Sequence, residues 1–158
     1  MNFDEAFSKL IGYEGGYSDD ARDPGGKTRY GITEAVAREV GYRGDMAALP
    51  LDLAKRIYSE RYWLAVRCND LPDEIRYVVF DAAVNSGPKQ SIVWLQRALG
   101  VDDDSVIGPQ TLAAATQMNP YQIGSRILAQ RLKLMAALPT WPAFGRGWAR
   151  RVADLMEA

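Results

Sequence analysis

The sequence predicts a mainly α protein with a short β-hairpin near residues 15–32. Apolar residues recur at helical spacing along most of the chain, while strand-like alternation is scarce. Prolines and glycines break the pattern where short helices would start and stop. With 158 residues the chain fits one compact domain or two small lobes. A hydrophobic share of 47% is enough for a core that needs no disulfide or metal.

The elements follow in order. Asn2 and Glu5 form a variant capping box that opens a first helix, whose Phe3, Phe7, Leu10 and Ile11 fall on one face. Glu14 lies at the end of that stripe, immediately before Gly15-Gly16. Residues 15–32 read as a loop around the turn Asp23-Pro24-Gly25-Gly26, with Tyr17, Tyr30 and Ile32 as the hairpin's flanks. Thr33 caps a second helix running toward Gly41, and a third follows Pro50, with Leu53, Ile57 and Tyr58 inward and Tyr62-Trp63 near its end. Pro72 sits early in a helix through about Asn85 that carries Ile75, Val78, Val79 and Ala82 inward. Asn85-Ser86-Gly87-Pro88 is the best internal boundary. Ile92, Leu95, Gln96 and Leu99 then mark a helix that Gly100 stops, and Asp102-Asp103-Asp104-Ser105 is a turn. Gly108-Pro109 and Asn119-Pro120 open two further helices, the second lasting to Leu138. Pro139 and Pro142 break the chain before a last helix, roughly 143–156.

Composition excludes whole chemistries. The chain has no histidine, which removes Ser-His and Cys-His catalysis, His-ligated zinc peptidases and zinc amidases. Cys68 is the only cysteine, so there is no internal disulfide and no thiolate zinc cluster. No Walker-type or GxGxxG pattern offers a phosphate cradle. The acidic turn at Asp102 lacks the glycine and glutamate an EF-hand would need at the sixth and twelfth places, where Ile107 and Ala113 stand. Neither metal nor cofactor is expected. Carboxylates, tyrosines and lysines remain for acid–base work, and carboxylate pairs are what glycoside hydrolysis uses. Net charge is −1, yet no Asp or Glu occurs from Ser105 to Ala153, where Arg126, Arg131, Lys133, Arg146, Arg150 and Arg151 fall. That run is a solvated basic face or an attraction to an anionic polymer. Nothing near the N-terminus resembles a signal peptide, and no stretch is long and apolar enough for stable membrane insertion. The expectation is synthesis in the cytoplasm, with release or export needed if the target lies outside the membrane.

The chemistry concentrates between Glu14 and Thr33. Breaking a glycosidic bond needs one protonated carboxyl at the leaving oxygen and help for the oxocarbenium-like carbon. Burial beside apolar side chains raises a carboxyl toward the first role, which suits Glu14. A loop carboxylate such as Asp23 stays ionised and suits the second.

The run Glu14-Gly15-Gly16-Tyr17, then Asp23-Pro24-Gly25-Gly26-Lys27-Thr28-Arg29-Tyr30-Gly31-Ile32-Thr33, resembles the signature of glycoside hydrolase family 108. These are N-acetylmuramidases found among phage endolysins and secretion-associated lysozymes. The resemblance implies a lysozyme-like helical fold and Glu14 as catalytic acid. Phage-type lysozymes similarly space Glu, Asp and Thr. Eight residues separate Glu14 from Asp23, as in that pattern, but only four separate Asp23 from Thr28, one fewer than usual. Asp23 as water-activating base with Thr28 as its helper is one assignment; Asp19 and Asp20 are rival bases. Tyr17, Tyr30 and Trp63 are candidate substrate-binding residues; Trp63, Tyr58, Tyr62 and Tyr77 have rings suited to stacking on sugars, though their helical spacing fits a place in the core better. Asn85 is a candidate partner for an N-acetyl group.

Trp94-Leu95-Gln96-Arg97-Ala98-Leu99-Gly100, followed after an acidic turn by Ile107-Gly108-Pro109-Gln110-Thr111-Leu112, resembles helical peptidoglycan-binding modules. Together the resemblances imply a lysozyme-like catalytic domain over residues 1–87 and a peptidoglycan-binding region over 88–158 packed against it. The implied partner is the peptidoglycan glycan strand, cut between N-acetylmuramic acid and N-acetylglucosamine. A lytic transglycosylase and a non-catalytic wall-binding module are the alternatives. Nucleic acid is not an expected partner, since no recognition-helix or RNP-type motif is present.

Overall fold

The computed structural model describes residues 1–22 and 25–157, with the side chains of Tyr13 and Glu14 outside the description. Its elements are mainly helical, with one small three-stranded antiparallel sheet, the lysozyme-like class that the sequence predicts. Two compact units emerge, Asn2–Glu60 and Arg61–Ala158, with Met1 grouped with the latter.

In the first unit, α1 spans Phe3–Glu14. Both halves of its capping box form: the Asn2 side chain accepts from the Glu5 N–H at 3.0 Å, and Glu5 Oε2 accepts from the Asn2 N–H at 2.9 Å. Ala6, Phe7 and Leu10 are buried, and Phe3 stacks at a tilt on Phe7 with ring centroids 5.9 Å apart. The chain then enters β1 (Tyr17–Ser18), β2 (Thr28–Arg29) and β3 (Ile32–Thr33), ordered β1-β2-β3. Tyr17 pairs with Arg29 and Ser18 with Thr28; Thr28 also pairs with Thr33, and Arg29 with Ile32.

The β2–β3 connection is the two-residue loop Tyr30-Gly31, with φ of 51° and 72°. Positive φ at both positions is the signature of the primed turn that matches strand twist. Tyrosine in that region costs roughly 1–2 kcal/mol. It is held there by the Tyr58 hydroxyl, which donates to the Tyr30 carbonyl at 2.8 Å. Thr33 then caps α2 (Glu34–Glu39), its Oγ1 accepting from the Val36 N–H at 3.3 Å. A 3-10 turn, Met46–Ala48, leads to α3 (Leu51–Tyr58), which buries Ala54, Ile57 and Tyr58. The Tyr58 ring meets Phe7 edge-on at 5.6 Å. The helical run continues without a break to Tyr62-Trp63, but its last stretch, Ser59–Trp63, is a π turn, which hydrophobic spacing alone does not reveal.

In the second unit, α4 (Asp73–Ser86), α5 (Pro88–Leu99), α6 (Pro109–Gln117), α7 (Pro120–Ala136) and α8 (Trp141–Met156) follow the predicted order. α4 packs on α5 and α7, α5 on α7, and α7 on α8. Val79 and Phe80 of α4, Leu95 of α5 and Ile123 and Ile127 of α7 are fully buried. Each such side chain contributes about 1.5–3 kcal/mol through burial. Gly87, at φ 86°, breaks α4 from α5, and Gly100, at φ 72°, caps α5 in the left-handed region. The last helix begins at Trp141, two residues before the predicted start. Pro142 lies within its first turn, where a missing N–H leaves no hydrogen bond broken.

Candidate active site

Glu14 is the last residue of α1, and Gly15 is its C-cap. A Cβ at Gly15 would approach the Ile11 carbonyl oxygen to 2.5 Å, whereas one at Gly16 would meet nothing within 4 Å. The first glycine after Glu14 is therefore a steric requirement of the helix end. The Glu14 side chain lies outside the described residues, and so does Asp23 with the Asp23-Pro24 half of the predicted turn.

The sheet places the other candidates of this unit. Thr28 is half-buried in the central strand, between Ser18 and Thr33, so three hydroxyl residues run across the sheet. Tyr17 is 40% exposed at the start of β1. Tyr30 presents a half-buried ring, with the Arg29 guanidinium carbon 4.5 Å from its centroid and Arg29 Nη2 donating to its hydroxyl at 3.2 Å. The register thus gathers Tyr17, Thr28 and Tyr30 on three adjoining segments of one hairpin-based sheet.

Asp19 is exposed. Asp20 is already engaged: its Oδ1 accepts from the Arg22 N–H and Nε, and its Oδ2 from Arg22 Nη2 at 2.9 Å. The Arg22 side chain first, and its backbone N–H second, hold the Asp20 carboxyl below the usual carboxylate range. A carboxylate whose oxygens face a guanidinium fork is a poor water-activating base, which weakens Asp20 as a rival to Asp23.

Trp63 and Asn85 belong to the other unit. Trp63 is 1% exposed, donates Nε1–H to Asn69 Oδ1 at 2.8 Å, and meets Phe80 edge-on with centroids 5.4 Å apart. A ring so covered is part of its unit's core. Asn85 lies exposed in the last turn of α4. Its Nδ2 donates to the Asp81 carbonyl at 3.1 Å and to Asp81 Oδ2 at 3.3 Å.

Sequence reasoning did not find the cluster behind Asn85. Asp81 is 1% exposed and accepts from Arg131 Nη1 at 2.8 Å and from Arg151 Nη2 at 2.7 Å. Arg131 is itself 2% exposed, so α4, α7 and α8 are tied by a buried ion-pair cluster. One signal was available: an aspartate inside the apolar run Val78-Val79-Phe80-Asp81-Ala82-Ala83 needs a cationic partner if that face is buried.

The glycosyl hydrolase 108 family matches residues 7–87. The chain belongs to that family, which makes it a glycoside hydrolase, and membership implies action on peptidoglycan. Among solved structures it is similar to "Structure of Brucella abortus SagA", at 37% sequence identity and a TM-score of 0.89, covering 98% of this chain and 91% of that one. A comparison with curated proteins returned no match.

Proposed function

We propose that the chain hydrolyses the glycosidic bond between N-acetylmuramic acid and N-acetylglucosamine, with Glu14 as general acid. The observation that carries this reading is the place of Glu14. It ends a helix with a buried apolar face, inside the segment matched by a glycoside hydrolase family, next to a glycine the helix end requires. Glu14 protonates the leaving oxygen as the anomeric carbon gains positive charge. Asp23 acts as the base that takes a proton from the attacking water, and the Thr28 hydroxyl orients that water. This assignment predicts inversion, because an activated water attacks from the face opposite the departing oxygen. Asp20, bound to Arg22, is disfavoured for the same role. Tyr17 and Tyr30 supply stacking surface, and residues 88–158 add affinity for the wall.

The test is digestion of purified peptidoglycan with analysis of product mass and reducing ends. Muropeptides ending in reducing N-acetylmuramic acid and carrying one added water support the reading. Anhydro-muramic ends, lacking that water, mean a lytic transglycosylase, and intact strands in the presence of tight binding mean a wall-binding module. Asp23→Asn should cut turnover by about a hundredfold or more, the usual scale of a lost general base, and Thr28→Ala by less.

A further inference from the structure

The turn from α7 into α8 is apolar and open to water. Residues 136–144 read Ala-Ala-Leu-Pro-Thr-Trp-Pro-Ala-Phe, without a single charge, and none of them is buried. Phe144 is 57% exposed and Leu138 is 38% exposed. Scattered apolar residues on a surface are ordinary, but a contiguous apolar tip marks a surface that something covers. The tip is also held in shape. The Trp141 ring lies so close on α8 that a Cβ at Gly145 would meet it at 2.5 Å, and Phe144 stacks on Trp148 with centroids 5.8 Å apart. Basic side chains flank it on both helices: Lys133 stands before the run, and Arg146 and Arg150 follow it. At 1.5 Å per helical residue, all three lie within about 10 Å of the tip along the helix axes. They are exposed, and none has a carboxylate partner among the described residues, whereas Arg131 and Arg151 pair with Asp81.

We propose that this tip, lying wholly within the second unit, docks on the surface of an anionic lipid bilayer. Leu138, Trp141 and Phe144 enter the boundary between headgroups and acyl chains, and Lys133, Arg146 and Arg150 meet lipid phosphates. Tryptophan suits that boundary because its ring is apolar and its N–H is not. The contact lies on the membrane and does not span it, since no helix among the described residues is long and apolar enough to cross. Charge and composition together select the occupant. A dissolved polyanion would satisfy the basic residues and leave Leu138 and Phe144 in water. A second copy docked tip to tip would bring like charges together, because no Asp or Glu occurs from Ser105 to Ala153. Only an anionic bilayer offers an apolar phase beneath a layer of negative charge. The surface is independent of the proposed hydrolysis.

The experiment is co-sedimentation of the full chain with vesicles of phosphatidylcholine, and of phosphatidylcholine mixed with phosphatidylglycerol, followed also by tryptophan emission. A basic side chain near an anionic surface contributes roughly fivefold, so the mixed vesicles should bind at least about tenfold more tightly. Added salt should shrink that preference. Trp63 and Trp94 are buried, so a blue shift on binding reports Trp141 and Trp148. Phe144→Asp should abolish sedimentation and blue shift while melting like wild type. Tyr121→Ser, at an exposed ring about 22 Å along α7 from the tip, should leave both intact. Replacing Lys133, Arg146 and Arg150 together by Gln should make the two vesicle types equivalent. Absent binding, equal binding of both vesicle types by wild type, or undiminished binding by Phe144→Asp overturns the proposal. A lipid-free dimer that Phe144→Asp dissolves would assign the tip to a second copy and overturn it as well.

Discussion

Single side chains carry much of what distinguishes this chain. Cys68 is fully buried, and its thiol donates to the Arg76 carbonyl at 3.7 Å. Burial pushes that thiol well above its ordinary range, with the nearby Arg76 charge opposing only in part. The thiolate is the reactive form, so the native protein should resist thiol reagents at neutral pH and react once unfolded. Prompt labelling of Cys68 in folded protein, followed by mass spectrometry, would contradict that burial. Local structure was readable in advance where it depends on near neighbours: Asn2 and Glu5 at a helix start, Thr33 three residues before Val36, the end of α1 at Glu14 before Gly15. The Asp81 cluster was not readable, because its partners Arg131 and Arg151 lie 50 and 70 residues away. Gln96 was read as one member of a helical face. It is in fact a buried clamp, with Nε2 donating to Asp104 Oδ1 at 2.8 Å, to the Val106 carbonyl at 3.0 Å and to Thr111 Oγ1 at 3.3 Å.

That clamp belongs to the element scale, where it pins the acidic turn Asp102–Ser105 beneath α5. Asp104 Oδ1 accepts from the Val106 N–H at 2.9 Å as well as from Gln96. The Val106 N–H first, and the Gln96 amide second, hold the Asp104 carboxyl below its ordinary value of 3.8. A carboxyl depressed on folding contributes stability that is complete above its unfolded pKa and is lost as pH falls through the folded one. The melting temperature of wild type should therefore fall faster than that of Asp104→Asn as pH drops from about 5 to about 3. Parallel curves for the two proteins would show that the turn contributes no pH dependence. The β2–β3 hairpin makes a second element-scale prediction. Gly31→Ala forces a side chain into φ 72° and should destabilise the protein by about 1–2 kcal/mol in chemical denaturation. No change in the denaturation midpoint would mean the turn relaxes to another type. Helix order and boundaries were largely legible because prolines, glycines and caps punctuate them. The π turn Ser59–Trp63 was not, since the same aromatic pair would sit equally well at the end of a longer α-helix.

At the scale of the whole chain, charge and chemistry are placed unevenly. The Glu14–Thr33 run lies in the first unit, while the arginine-rich stretch free of Asp and Glu lies in the second. Among the described residues no helix is long and apolar enough to cross a membrane. Family membership was legible because the Glu14–Thr33 run is dense and nearly contiguous, whereas the Asp81 cluster is assembled from α4, α7 and α8 and leaves no compact motif. The central claim is that one carboxyl, on Glu14, supplies the proton for glycosidic cleavage. The most direct measurement compares wild type with Glu14→Gln on purified peptidoglycan, following released muropeptides by mass and checking that the variant melts cooperatively near the wild-type temperature. The amide keeps the shape of the side chain and removes its proton, so lysis should fall by about a hundredfold or more with folding unchanged. A cooperatively folded Glu14→Gln protein that releases muropeptides at the wild-type rate would contradict the account.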